Sequence, residues 1–317
     1  MKKKIRILCA VILLVLAAGF GIGQYFVNYA LSPASDSADR KVTETVSASD
    51  STKEMIAQNK AAEKIKGDAF EAQTKSAEIT SDKLQLKAKY KRNPDSHLWV
   101  LLVHGYKSDN SALMSYGAAY DEKGYNTLLP DNRAHGESEG KYIGMGWLDK
   151  EDLKQWISWI TEQDSQAEIV VHGVSMGGAA TMMLSGENPD HVIAYVEDCG
   201  YTSVWDIFAS ELKKRFSLPP FPVLYFSTAV AKAEAGYSFG EASSMDEVKK
   251  CQKPMLFIHG GKDDFVPASM VYALFDQAEC RKDLYIAEGA GHAESKDYDP
   301  SAYWNKVFTF IDINMNP

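Results

Sequence analysis

The pentapeptide Gly173-Val174-Ser175-Met176-Gly177 constrains this chain more than any other feature. It follows the apolar run Ile169-Val170-Val171 and leads into Gly178-Ala179-Ala180-Thr181-Met182-Met183-Leu184, a pattern that reads strand, tight turn, helix. The glycines flanking the serine let the backbone turn sharply and push the hydroxyl out over the sheet edge. Ser175 is therefore a candidate nucleophile.

A serine hydroxyl is a poor nucleophile at neutral pH unless a base takes its proton and a carboxylate holds that base in the right tautomer. The downstream sequence offers both. Pro254-Met255-Leu256-Phe257-Ile258-His259-Gly260 reads as a buried strand, and the following loop carries Asp263 and Asp264. After a helical pattern over 268–278 and the strand Leu284-Tyr285-Ile286, the loop Glu288-Gly289-Ala290-Gly291-His292-Ala293-Glu294 sets His292 between small residues. His292 is the candidate base and Asp263 the candidate acid. Two backbone amides would complete the chemistry by holding the oxyanion of a tetrahedral intermediate. The strand Leu98 to Val103 ends in His104-Gly105-Tyr106, so the candidate donors are the N–H groups of Tyr106 and Met176. His104 itself reads as a loop-orienting histidine.

On these residues the chain resembles the α/β-hydrolase superfamily over roughly 76 to 315. The resemblance is carried by His104-Gly105-Tyr106, Asp131-Asn132-Arg133-Ala134-His135-Gly136-Glu137-Ser138, Gly173 to Gly178, His259-Gly260 with Asp263 and Val266-Pro267, and Gly291-His292. It implies an α/β fold with a mostly parallel central sheet flanked by helices, a small helical lid, and a nucleophile, acid and base in the chain order Ser, Asp, His. It also favours Asp263 over Asp264 and implies scaffolding roles for Asp131, Arg133 and His135. The small lid and N-terminus are similar to those of membrane-anchored or exported hydrolases of Gram-positive bacteria.

Lys2, Lys3, Lys4 and Arg6 precede an apolar stretch from Ile7 to about Ile22 that continues less cleanly through Tyr25-Phe26-Val27. That order of charge and hydropathy is expected of an export signal, with the lysines cytoplasmic and the rest of the chain outside. Residues 1–31 are read as an uncleaved signal anchor, with cleavage near Ala17-Ala18-Gly19 as the alternative that would release a secreted enzyme. Residues 32–75 are expected to be extracytoplasmic: a Ser/Ala/Asp/Thr-rich spacer to about 50, then a helix opened by the capping box Ser51-Thr52-Lys53-Glu54. Its role is not legible. Residues 76–317 form the hydrolase domain, with the lid at about 202–250, an insertion rich in aromatic residues and broken by Pro219, Pro220 and Pro222.

Setting the four N-terminal cations aside leaves 30 basic residues against 43 acidic ones, a net charge of −13. Nucleic acid is an unsuitable partner for such a surface, and Lys213-Lys214-Arg215 reads as the solvated side of a lid helix. No metal-binding spacing and no repeat occurs, so no metal or organic cofactor is expected. Outside the anchor, Cys199, Cys251 and Cys280 leave a Cys251–Cys280 bridge open. The expected reaction is hydrolysis of small carboxylic esters through an acyl-enzyme. Two alternatives stand: an extracytoplasmic serine peptidase of aminopeptidase type, using Glu197 or Asp198 to receive a free amine, and a non-catalytic surface protein on the same scaffold. Acyl length, lid motion and oligomeric state are not legible.

Overall fold

A computed structural model of the chain describes residues 2–33 and 49–315. Two helices open it, α1 (Lys2–Leu31) and α2 (Asp50–Glu71). The strands β1 (Lys75–Ser81), β2 (Leu84–Lys91), β3 (Leu98–Val103), β4 (Asn126–Pro130), β5 (Glu168–Val174), β6 (Val192–Asp198), β7 (Met255–Gly260) and β8 (Lys282–Ala287) form one sheet. Its order is β1-β2-β4-β3-β5-β6-β7-β8. The pairs β1/β2 and β2/β4 are antiparallel and the others parallel. The central strands β3, β5 and β7 are buried almost throughout, as unbroken apolar runs in a doubly covered parallel sheet should be.

The covering helices are α3 (Met114–Glu122), α4 (Asp149–Gln163), α5 (Met176–Ser185), α9 (Ser269–Gln277), the single turn α10 (Ser295–Tyr298) and α11 (Pro300–Met315). Trp156, Ile157 and Ile160 of α4 pack on one side of the sheet with Trp99 and Leu101, and Tyr303, Val307 and Ile311 of α11 pack on the other with Val100 and Leu102. Every residue of α5 is buried, which suits a helix with no polar side and seats its N-terminus at the middle of the sheet. Between β6 and β7 stand α6 (Val204–Phe216), α7 (Val223–Glu234) and α8 (Ser244–Val248), with the prolines 219, 220 and 222 separating α6 from α7.

One expectation changes and one open question closes. The cap of α2 is Ser49, whose hydroxyl accepts the Thr52 N–H at 3.2 Å, so Ser51 lies inside the helix rather than at its boundary. A Cys251–Cys280 bridge is absent and both thiols are free. The helix α2 packs on the domain: Phe70 is buried against Gly117 of α3, and Asn59 Nδ2 donates to the Asp297 carbonyl at 2.9 Å. The cores of α1 and the lid also meet, with Val27 and Leu31 in one apolar cluster with Leu212, Val223 and Val230. Most of the expected spacer, residues 34–48, lies outside the described residues.

Candidate active site

Ser175 sits between β5 and α5 at φ 58° and ψ −117°, a conformation costly for a residue with a side chain. Close packing enforces it. A Cβ on Gly173 would fall 2.0 Å from the Gly177 carbonyl oxygen, and one on Gly177 would fall 1.9 Å from that of Val103. Only glycine lets the turn close this tightly, and the amide of Ser175 is fixed by donating to the Asp198 carbonyl at 2.7 Å.

The loops after β7 and β8 bring two further side chains to this turn. His292 Nε2 lies 2.8 Å from Ser175 Oγ, and His292 Nδ1 lies 2.7 Å from Asp263 Oδ2. With the Nδ1 proton donated to the carboxylate, Nε2 is free to accept the serine proton. Asp263 Oδ1 accepts the N–H groups of Phe265 and Val266, each at 2.9 Å. Burial pushes the Asp263 carboxyl up, but its bonds with His259 and His292 outweigh that and hold it at about 2. The neighbouring Asp264 is half exposed and paired with Lys214 at 3.4 Å, so the structure joins His292 to Asp263. Tyr106 and Met176 flank the serine: both line the cavity above it, and the Met176 amide belongs to the first turn of α5, where N–H groups lack helical acceptors.

His259 was not among the candidates. Its Nε2 lies 3.3 Å from Asp263 Oδ2 and donates to the Val266 carbonyl at 2.9 Å. Burial lowers its pKa, and the hydrogen bond and charge of Asp263 more than reverse this. The carboxylate is thus gripped by two imidazoles. The only sequence signal was the histidine at the end of β7, ordinary among buried strand residues.

The remaining motif residues build the loops. His104 Nδ1 donates to the Gly105 carbonyl at 2.8 Å while its Nε2 accepts the Asn132 N–H at 2.9 Å, and burial with the nearby His135 lowers its pKa to about 3. Asp131 accepts the amides of Asn110 and Glu137. Arg133 makes a buried two-pronged pair with Asp152 at 2.7 and 2.8 Å, and His135 Nε2 accepts the Lys107 N–H at 3.0 Å. Glu197 and Asp198 are fully buried and neither lines the cavity, so neither is placed to receive an amine there. Cys199 approaches Asp263 and His292, and burial pushes its thiol up, leaving a packed neutral side chain.

Above Ser175 lies a cavity of about 260 Å3. Phe208, Leu212 and Phe216 of α6 and Leu224 of α7 form much of its wall, with Phe26 and Tyr29 contributed by α1. Glu211 and Arg215, bonded to each other, supply its charged groups together with Lys107. Such an arrangement can hold an apolar group beside a nucleophile.

Similarity to known proteins agrees with this geometry. The Hydrolase_4 family model, described as serine aminopeptidase, S33, matches residues 94–217. The uncharacterized protein YqkD of Bacillus subtilis (strain 168) is 31% identical over 219 residues, covering 68% of this chain and 72% of that protein. Protein bem46 of Schizosaccharomyces pombe is 28% identical over 159 residues, 49% of this chain and 48% of that protein. Among solved structures, the Pyrococcus furiosus esterase Pf2001 superposes with a TM-score of 0.64 at 25% identity, over 78% of this chain and 93% of the esterase. With the sheet order, the strand-turn-helix serine and these relatives in agreement, the chain belongs to the α/β-hydrolase superfamily.

Proposed function

We propose that the protein is a membrane-anchored serine hydrolase that cleaves carboxylic esters through an acyl-enzyme. The observation that carries this reading is the continuous hydrogen-bonded line from Ser175 through His292 to Asp263 at the floor of an apolar cavity. In this scheme His292 Nε2 takes the Ser175 proton as Oγ attacks the ester carbonyl, and Asp263 stabilises the imidazolium that forms. The amides of Tyr106 and Met176 hold the oxyanion. Collapse of the intermediate breaks the acyl C–O bond, and the alcohol leaves with the proton from His292. A water molecule then gives its proton to His292, attacks the acyl-enzyme and releases the acid, returning the proton to Ser175. The likeness to an esterase supports ester over amide substrates.

For location, α1 is a 30-residue apolar helix of a length that can cross a membrane. The cluster Lys2-Lys3-Lys4 with Arg6 at its start favours an orientation that leaves the catalytic domain extracytoplasmic. Packing of Gly19 against Phe226 supports retention of the whole helix over cleavage near it.

One observation favours a peptidase as the second reading. Glu211 lines the cavity, and its buried Oε1 has no hydrogen-bond partner among the described residues, a geometry that could take a substrate ammonium. Turnover of p-nitrophenyl esters from acetate to decanoate, beside a panel of aminoacyl anilides, separates the two. The ester reading expects ester hydrolysis by the full chain and its loss, by roughly a thousandfold or more, in Ser175→Ala. Preferential anilide hydrolysis that falls in Glu211→Gln would establish the peptidase instead, and ester turnover undiminished in Ser175→Ala would remove the assigned nucleophile.

A further inference from the structure

The cavity over Ser175 is not closed by the lid alone, because its wall includes Phe26, Tyr29 and Ala30 of α1, the same helix that is long and apolar enough to cross a membrane. That wall is fixed in place. Phe26 and Tyr29 meet Phe216 of α6 edge-on, at ring-centre distances of 5.2 and 5.5 Å. The Tyr106 hydroxyl donates to the Ala30 carbonyl at 2.6 Å, and the Ile143 N–H donates to that of Leu31 at 2.8 Å. One level nearer the N-terminus, Gly19 and Gly23 admit Phe226 of α7 so closely that a Cβ on Gly19 would lie 2.2 Å from its ring.

The dimensions of α1 then set where the cavity sits. Large apolar side chains from Ile5 to Ile22 are exposed, a stretch that at 1.5 Å per residue is about 27 Å long, against a hydrocarbon core of about 30 Å. Once that stretch is immersed, Phe226 and the beginning of α7 lie at the membrane boundary. Leu218, Phe221 and Tyr225, in and before this turn of α7, are exposed by 38%, 70% and 56%, an apolar patch on the lid in which the Phe221 and Tyr225 ring centres lie 5.6 Å apart. Phe26, which lines the cavity, is four residues beyond Ile22, only about 6 Å along the axis. The cavity of about 260 Å3 is walled mostly by apolar side chains, which suits an alkyl chain.

We propose that the substrate is a single-chain acyl ester resident in the membrane, which enters the cavity from the bilayer surface between α1 and the lid and presents its ester carbonyl to Ser175. This rests on the ester-hydrolase reading. In it, α1 is both the anchor and part of the acyl-binding wall, and the patch around Phe221 seats the lid on the lipid surface. A water-soluble short ester needs neither the patch nor the bilayer.

The test uses the full chain reconstituted in phosphatidylcholine vesicles containing monolauroylglycerol, with p-nitrophenyl butyrate as the soluble substrate. Phe221→Asp and, separately, Leu218→Asp place a charge in the patch, and neither side chain lines the cavity. Lauric acid release is expected to fall by roughly tenfold in each, the order set by losing the transfer of one large apolar side chain, while butyrate turnover stays within about twofold. Lauric acid release that is unchanged in both variants, or that falls in both only in step with butyrate turnover, would overturn membrane entry and leave ester hydrolysis standing. A wild-type chain that hydrolyses neither ester would fail the underlying reading and the inference with it.

Discussion

At the scale of residues, the site depends on charge held under strict burial. Asp263 is kept ionised by two imidazoles and two backbone amides. Glu197, one strand away, has less support: burial outweighs the nearby His259 and one backbone amide and pushes its carboxyl up to about 8. Its unfolded value is about 4.3, so between those limits the folded chain holds a proton that the unfolded chain has released, and stability falls as pH rises across the window. Glu197→Gln keeps an acceptor for the Gly200 N–H, now 2.9 Å from Glu197 Oε2, and removes that titration. Thermal melting at pH 5 and pH 8 should show a smaller loss of Tm with rising pH in Glu197→Gln than in the parent chain; equal slopes would mean that Glu197 is ionised in the folded state. The sequence pointed to Ser175 and His292 as candidates because short motifs around small residues report local backbone geometry, and the structure sets the two side chains 2.8 Å apart. It could not reveal His259, since a histidine at a strand end looks the same whether it grips a carboxylate or only fills space.

Among elements, β3, β5, β7 and β8 were legible because each is an apolar run with a glycine close after it, and the helix from 268 to 278 because its apolar residues recur at helical spacing. The work of α2 was not. Its sequence is polar and its buried contacts are few and widely spaced, with Ile56, Gly67 and Phe70 toward the domain. What it grips is a loop distant in the chain: Asn59 bonds the Asp297 carbonyl, and Lys60 pairs with Glu294 at 3.5 Å, two residues past His292. Glu63 also pairs with the buried Lys296 at 3.6 Å. The brace on the histidine loop therefore comes from sequence 234 to 238 residues away. Phe70→Ala empties the space against Gly117 and should cost about 3–5 kcal/mol in urea unfolding, the range for a buried Phe→Ala change. A loss below about 1 kcal/mol would mean that α2 is an ornament on the domain rather than part of it.

Across the whole molecule, α1, lid and sheet converge on one apolar chamber. The sequence separates residues 1–31 from the hydrolase domain as a membrane element, because the hydropathy of α1 reports its exposed stretch and not its packed end. In the structure that end packs on the lid from Gly19 to Leu31, and its Phe26, Tyr29 and Ala30 line the chamber. Ser175 is buried, so a reactive group must pass through this chamber to reach it. The most direct test of the central claim is therefore covalent: the full chain is treated with an alkyl fluorophosphonate and its peptides are analysed by mass spectrometry. The account predicts one adduct, on Ser175, absent from Ser175→Ala and slowed by roughly a hundredfold or more in His292→Ala, which lacks the general base. Labelling of a different residue, or a folded full-length chain that takes up no phosphonate, would contradict it.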